Sequence, residues 1–184
     1  MGFVLLILGV ALWWAAHLFK RVMPEQRAAL GNGGKGAVAL ALVAAILLMI
    51  FGYRMTDAIF VWAPPTFMVH INNLLVLIAI YMMSPAGTKG RLLNKLRHPM
   101  LGGFKLWAFA HLLVNGDLTS IILFGGLLAW AVVEVIVINK SEPEWTPGEP
   151  GTYGKDAMFF VASIVLLGVI GYIHGLVGPS PFGG

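Results

Sequence analysis

Six apolar runs, at residues 3–22, 36–53, 66–84, 99–115, 118–138 and 157–175, decide which solvent this chain must satisfy. Each is close to the 17–25 residues that a helix needs to cross a bilayer. Lipid offers no partner to an exposed backbone N–H or C=O, so such runs fold as helices. The fourth is the shortest of the six, and a tilted or partly interfacial path suits it. Pro24, the pair Pro64-Pro65, Pro85, Pro99 and the stretch from Pro143 to Pro150 all sit at or between the ends of these runs, where a missing backbone donor does least harm. The first run has its charges after the apolar stretch and no small-residue cleavage site, so it reads as a retained helix. The expectation is an all-α integral membrane protein, about six transmembrane helices in one bundle, with residues 1–184 forming a single domain.

Composition agrees with that class. The chain is 59% hydrophobic and 11% charged, against roughly 25% charged residues in an average soluble domain. It has no cysteine, which excludes disulfides, thiolate catalysis and thiolate-ligated metals. The net charge of +4 does not point to nucleic acid, because the basic residues form short clusters beside apolar runs. They set orientation instead. Lys20, Arg21, Arg27 and Lys35 follow the first run, Lys89, Arg91, Lys95, Arg97 and Lys105 surround the start of the fourth, and Lys140 and Lys155 lie between the fifth and sixth. Only Arg54 falls on the other side. By the positive-inside rule both termini lie outside and three basic loops lie inside.

The longest polar stretch, 139–156, is studded with Pro and Gly and is too short for a soluble domain. Chemistry must therefore occur in or against the bilayer. No P-loop, dinucleotide fingerprint or HExxH pair is present. The glycines at 102–103, 125–126, 168, 171 and 175 are expected to allow close helix contact.

Ionisable groups inside the runs need a reason to be there, since a charged residue at a helix centre costs about 2.5–3.5 kcal/mol even on the lenient insertion scale. His17 comes late in the first helix, His70 early in the third, His98 at the corner before the fourth, His111 within the fourth and His174 at the end of the sixth. With about 1.5 Å of rise per residue, His70 and His111 each lie roughly 6 Å from the outer end. His174 is also near that end, so these three can share a layer, whereas His17 lies nearer the level of His98. Two imidazoles on facing helices can hold a haem iron axially, with the porphyrin among aromatic and aliphatic side chains. Trp107 lies one turn before His111, with Ala108 beside it and Phe104 continuing that side. The alternative is that the histidines simply hydrogen-bond between helices.

Glu134, in the run AWAVVEVIVINK, lies about one turn from the inner end of the fifth helix. Counting back through the tight turn at Asn115-Gly116-Asp117 puts it level with Arg97 to Met100. Lys105 lies deeper, and its stem can snorkel inward. These charges read either as an ion pair fixing two helices together or as a carboxylate poised to accept a proton.

Taken together the residues resemble the NnrU family of bacterial membrane proteins, named for an association with denitrification and related to the ζ-carotene isomerases. The resemblance rests on a histidine closing the first helix with Arg27, Leu30 and Gly31 after it, the Trp62-Ala63-Pro64-Pro65 corner, and His70 opening the third helix. It continues through Arg97-His98-Pro99-Met100-Leu101, Lys105-Leu106-Trp107 with His111 and Asn115-Gly116, and His174-Gly175-Leu176-Val177-Gly178 with Ser180-Pro181-Phe182. It implies a multi-pass protein of the bacterial inner membrane, where the outside given by the positive-inside rule is the periplasm. By likeness to the isomerase branch it further implies haem b and a lipid-soluble substrate, with iron held by residues matching His17 and His111. A cysteine of that branch, three residues before the second histidine, is Ala108 here. The depth of the histidines favours His70 or His174 as the partner of His111, while the resemblance favours His17; both stand open at this point.

The Arg97-His98-Pro99 corner also resembles, more distantly, the isoprenylcysteine carboxyl methyltransferases, although their paired glutamates are not recognisable here. Three roles follow as expectations. The first is a haem protein with a redox or isomerase-like role; the second is an assembly factor for a respiratory membrane complex such as a nitric oxide or nitrite reductase. The third, with the least support in the residues, is a methyltransferase-like enzyme.

Overall fold

The computed structural model describes residues 1–182. Its helices are α1 (Gly2–Val22), α2 (Pro24–Ala29), α3 (Gly33–Arg54), α4 (Met68–Met83), α5 (Ala86–Lys89), α6 (Pro99–Val114), α7 (Leu118–Ser120), α8 (Gly126–Ser141) and α9 (Tyr153–Val177). A π-helical turn, Ile121–Gly125, joins α7 to α8, making one continuous helical span from Leu118 to Ser141. Extended pairing among the described residues is limited to one bridge between Phe60 and Asp117. The protein is a helical, multi-pass membrane protein, as the apolar runs indicate.

Among the described residues, four helices are long and apolar enough to cross a membrane: α1, α3, the Leu118–Ser141 span and α9. The helices at the third and fourth runs, α4 and α6, have 16 residues each. That is about 24 Å of helix, short of a hydrocarbon core of about 30 Å. Most large apolar side chains of α9 and about half of those of α3 are exposed, the outward face that a lipid solvent permits.

The chain divides into two compact units that interleave in sequence. One comprises Met1–Trp62 and Gly116–Pro143, the other Ala63–Asn115 and the chain from Glu144 onward.

In the first unit α1 and α3 run antiparallel at close range. A side chain at Gly52 would strike the backbone of Leu6, and one at Gly9 would meet Met49. These small residues let dispersion contacts extend along the full pair, which is how membrane helices associate without a hydrophobic drive. The turn at Gly116 in this unit is built by hydrogen bonds. Val61 and Trp62 donate backbone N–H groups to the Gly116 carbonyl, at 2.7 and 3.1 Å, and Leu118 donates to Ile59 at 2.9 Å. Gly116 has to be glycine, because any Cβ would run into the Trp62 carbonyl oxygen. Asp117 caps α7, accepting from the Ser120 N–H at 2.8 Å and from its hydroxyl at 2.7 Å. The Tyr53 hydroxyl then lies 2.8 Å from the fully buried Ser120 Oγ.

In the second unit α4 is antiparallel to both α6 and α9. Gly103 meets Ala79 and Met82, while Val76, Ile80 and Ala110 form the buried centre, with Leu75, Trp107 and Leu167 packed on it. Pro99 occupies the first turn of α6, where its missing N–H is no loss and its fixed φ favours the helix. That accounts for proline in the Arg97-His98-Pro99 corner.

Candidate functional site

The antiparallel register of α4 and α6 fixes which residues share a level. Gly103 lies against Ala79, and 103 + 79 = 182; since 182 − 111 = 71, His111 stands level with Ile71, between His70 and Asn72. The C-terminal turn of α9, carrying His174, comes to the same end. His174 is close enough for its charge to act on His111, and the chain after α9 folds back there, with Asn73 Nδ2 donating to the Pro181 carbonyl at 2.9 Å. Phe182 covers Gly171. His70 is at this end too, with its residue exposed.

Both imidazoles are held by backbone. His111 Nδ1 lies 2.9 Å from the Trp107 carbonyl oxygen, and His174 Nδ1 lies 2.8 Å from that of Pro179. A carbonyl only accepts, so Nδ1 carries the hydrogen and Nε2 carries the lone pair of the neutral ring. Trp107 also packs against His111, ring centroids 4.9 Å apart, and Phe104 against Trp107 at 5.2 Å. Asn115 Nδ2 donates to the His111 carbonyl at 2.8 Å and closes α6. Beside them Asn72, 7% exposed, has an amide oxygen with no hydrogen-bond partner among the described residues.

His17 belongs to the first unit. Its Nδ1 lies 2.9 Å from the Trp13 carbonyl, and its ring sits against Trp13 at 4.3 Å and Trp130 at 4.4 Å. Glu134 is on the same face of α8, one turn past Trp130, and the cation acting on it within its unit is Arg21. Arg97, His98 and Lys105 lie in the second unit, the first two at the entry to α6.

Beside α1 runs an apolar groove of about 810 Å³, walled by Ala11, Trp14, Leu18 and Phe19 of α1 with Ile122 and Gly126 opposite. Trp14 Nε1 donates to the Gly126 carbonyl at 3.0 Å and pins one wall.

At the far end of the second unit is a centre that the sequence reading passed over. Asp156, 4% exposed, accepts from the Tyr81 hydroxyl at 2.7 Å and from the N–H groups of Arg91 and Leu92 at 2.8 and 3.2 Å. Gly151 donates to the Gly90 carbonyl at 3.0 Å, Asn94 to that of Gly148 at 2.9 Å, and the Arg91 guanidinium lies 5.2 Å from the Tyr153 ring centroid. These contacts tie the loop before α6 to the start of α9. The only sequence signal was an aspartate in the first turn of an apolar helix.

Does the donor set fit a haem? Among the described residues no three His, Cys, Asp or Glu side chains gather as a bare metal ion requires. Haem needs far less from the protein, because the porphyrin supplies four donors and the chain only axial ones. Two imidazoles with Nδ1 tied to carbonyls and Nε2 as the lone-pair nitrogen suit that role, and such outer hydrogen bonds orient ligating histidines generally.

Compared with known proteins, the chain matches the family described as NnrU protein over residues 5–181. No curated protein and no solved structure matches it.

Proposed function

The chain belongs to the NnrU family, and from that premise we propose that it is a haem-binding membrane protein with a redox or isomerase-like role on a lipid-soluble substrate. The iron ligands in this reading are His111 and His174. The observation that carries it is the pairing at one end of one unit: two histidines from α6 and α9, each with Nδ1 on a backbone carbonyl. Held between them, haem b would supply one-electron chemistry at its iron.

The chain's own residues do the rest. The Trp107 carbonyl and ring fix the rotation of His111, while Asn115 ties down the end of its helix. Asn73 keeps the returning chain in place, and with it the Pro179 carbonyl that orients His174. Within the first unit, the groove beside α1 has walls that match an apolar substrate in polarity. The proposal includes a bacterial inner-membrane location and a link to denitrification, both of which come with the family resemblance.

The test is an absorption spectrum of the purified protein with a pyridine haemochrome assay. The expected result is a Soret band that is lost in His111→Ala and shifted or weakened in His174→Ala. A colourless protein from cells with ample haem would overturn the proposal. If that colourless protein co-purified with a nitric oxide or nitrite reductase, a non-enzymatic role in maturation would take its place.

A further inference from the structure

The connection from α4 to α6, residues 84–98, mixes two kinds of side chain that a water-facing loop does not need together. It holds four basic residues, Lys89, Arg91, Lys95 and Arg97, and no acidic one. Leucines are set among them. Leu92 is 63% exposed, Leu96 is exposed as well, and Met100 at the start of α6 is 64% exposed. Lys89, Arg91 and Lys95 are exposed beside them. Water suits the bases, but hydrating that much apolar surface is unfavourable.

The hydrogen bonds at Asp156 fix the depth of this loop. Asp156 accepts from the N–H groups of Arg91 and Leu92, and the apolar run of α9 begins at the next residue, Ala157. Arg91 and Leu92 therefore lie level with the end of that run, where hydrocarbon gives way to headgroups. Both of their backbone donors are satisfied by the carboxylate, so this stretch can enter the interface without an orphaned N–H. The Arg91 guanidinium rests on the Tyr153 ring, which is itself exposed, and tyrosine is enriched at that level of a membrane. Acidic residues at this end, Glu144 and Glu149, are confined to the chain before α9. The exposed bases Lys89, Arg91, Lys95 and Lys155 outnumber them two to one.

We propose that residues 89–100 form a docking surface for the headgroup layer of anionic phospholipids. Lys89, Arg91 and Lys95 meet the lipid phosphates, while Leu92, Leu96 and Met100 sit among the first acyl carbons. Charge complementarity selects the occupant, since a cluster of four or more bases beside a membrane helix attracts anionic lipid. The leucines select a lipid over a dissolved anion, because apolar side chains gain by entering the acyl boundary. The surface lies wholly within the second unit and does not depend on haem.

The test uses the full chain, which has no cysteine of its own, with Leu92→Cys carrying a bimane label. It is reconstituted in vesicles of phosphatidylcholine with a minor share of phosphatidylglycerol. In one set the phosphatidylglycerol is brominated on its acyl chains, and in the other an equal amount of the phosphatidylcholine is. The expected result is quenching by both, with brominated phosphatidylglycerol about twofold more effective at low salt. That preference disappears in the Lys89→Gln/Arg91→Gln/Lys95→Gln variant, which keeps the N–H groups that Asp156 accepts. It also disappears when salt is raised on the protein with its bases intact, an arm that decides alone if the triple variant does not fold. A label at Val43→Cys, on an exposed position of α3, shows quenching without preference. No quenching at position 92 would place the loop in water or under protein and overturn the proposal. Equal quenching by the two lipids, a preference that survives high salt, or the same preference at position 43 would each overturn it too.

Discussion

Replacing Asp156 with alanine takes the acceptor from three donors at once, and the structure says how unequal those three losses are. Arg91 and Leu92 are exposed residues, so their N–H groups recover water when the carboxylate goes. Tyr81 is 8% exposed, and its hydroxyl, 2.7 Å from Oδ1, has nowhere else to turn. A hydrogen bond to a charged group contributes about 1.5–3 kcal/mol, and a buried donor left alone costs a similar amount. Tyr81→Phe should therefore cost about 2 kcal/mol, and Asp156→Ala about 3–4 kcal/mol, the Tyr81 bond in full with part of the two loop bonds. The double variant should cost little more than Asp156→Ala alone, giving a coupling of about 2 kcal/mol. The assay is reversible unfolding in mixed micelles, titrated with a denaturing detergent and followed by tryptophan fluorescence. Strictly additive single effects would refute the reasoning, because they would mean that Tyr81 and Asp156 do not stabilise the fold through one another.

Two further expectations concern the turn at Gly116 and the orientation. Gly116→Ala forces a Cβ into the Trp62 carbonyl, and should cost on the order of 2 kcal/mol in the same titration; an unchanged midpoint would count against the close approach. The chain has no cysteine, so single cysteines report sidedness cleanly. Thr88→Cys should react with an impermeant maleimide only from the cytoplasmic side, and Asp57→Cys only from outside; the reverse pattern would invert the orientation read from lysine and arginine.

The helical class and helix limits were legible because lipid leaves the backbone one way to satisfy itself, so apolar length translates almost directly into helix length. Pro99 marked its helix start for a similarly local reason. The shared end of His111 and His174 was legible from rise per residue alone. Asp156 was not: its partners are 64 to 75 residues away, and acidic residues carry little weight in an orientation rule that counts positive charge. Glycine misled in both directions. Gly103 and Gly126 do lie at close contacts, whereas Gly125 and Gly168 have nothing within 4 Å, and the tight approach at Gly9 and Gly52 was missed. A glycine's role depends on which face its helix turns inward, and long apolar helices with little polar contrast do not announce that face.

The π-turn at Ile121–Gly125 has a consequence for that same question of facing. The helix containing it answers to two neighbours: Ser120 before the turn is tied to Tyr53 of α3, and Trp130 after it lies on Trp13 of α1. One residue of α-helix corresponds to about 100° of rotation, and a π-turn absorbs one residue more than a plain helix would. It works as an angular offset, letting each half of the span keep its own bearing. Deleting one residue from 121–125 would therefore let the turn close to plain α-helix with Ser120 and Trp130 both keeping their bearings, whereas deleting one from 126–129, in plain α-helix, would swing Trp130 about 100° away from Trp13.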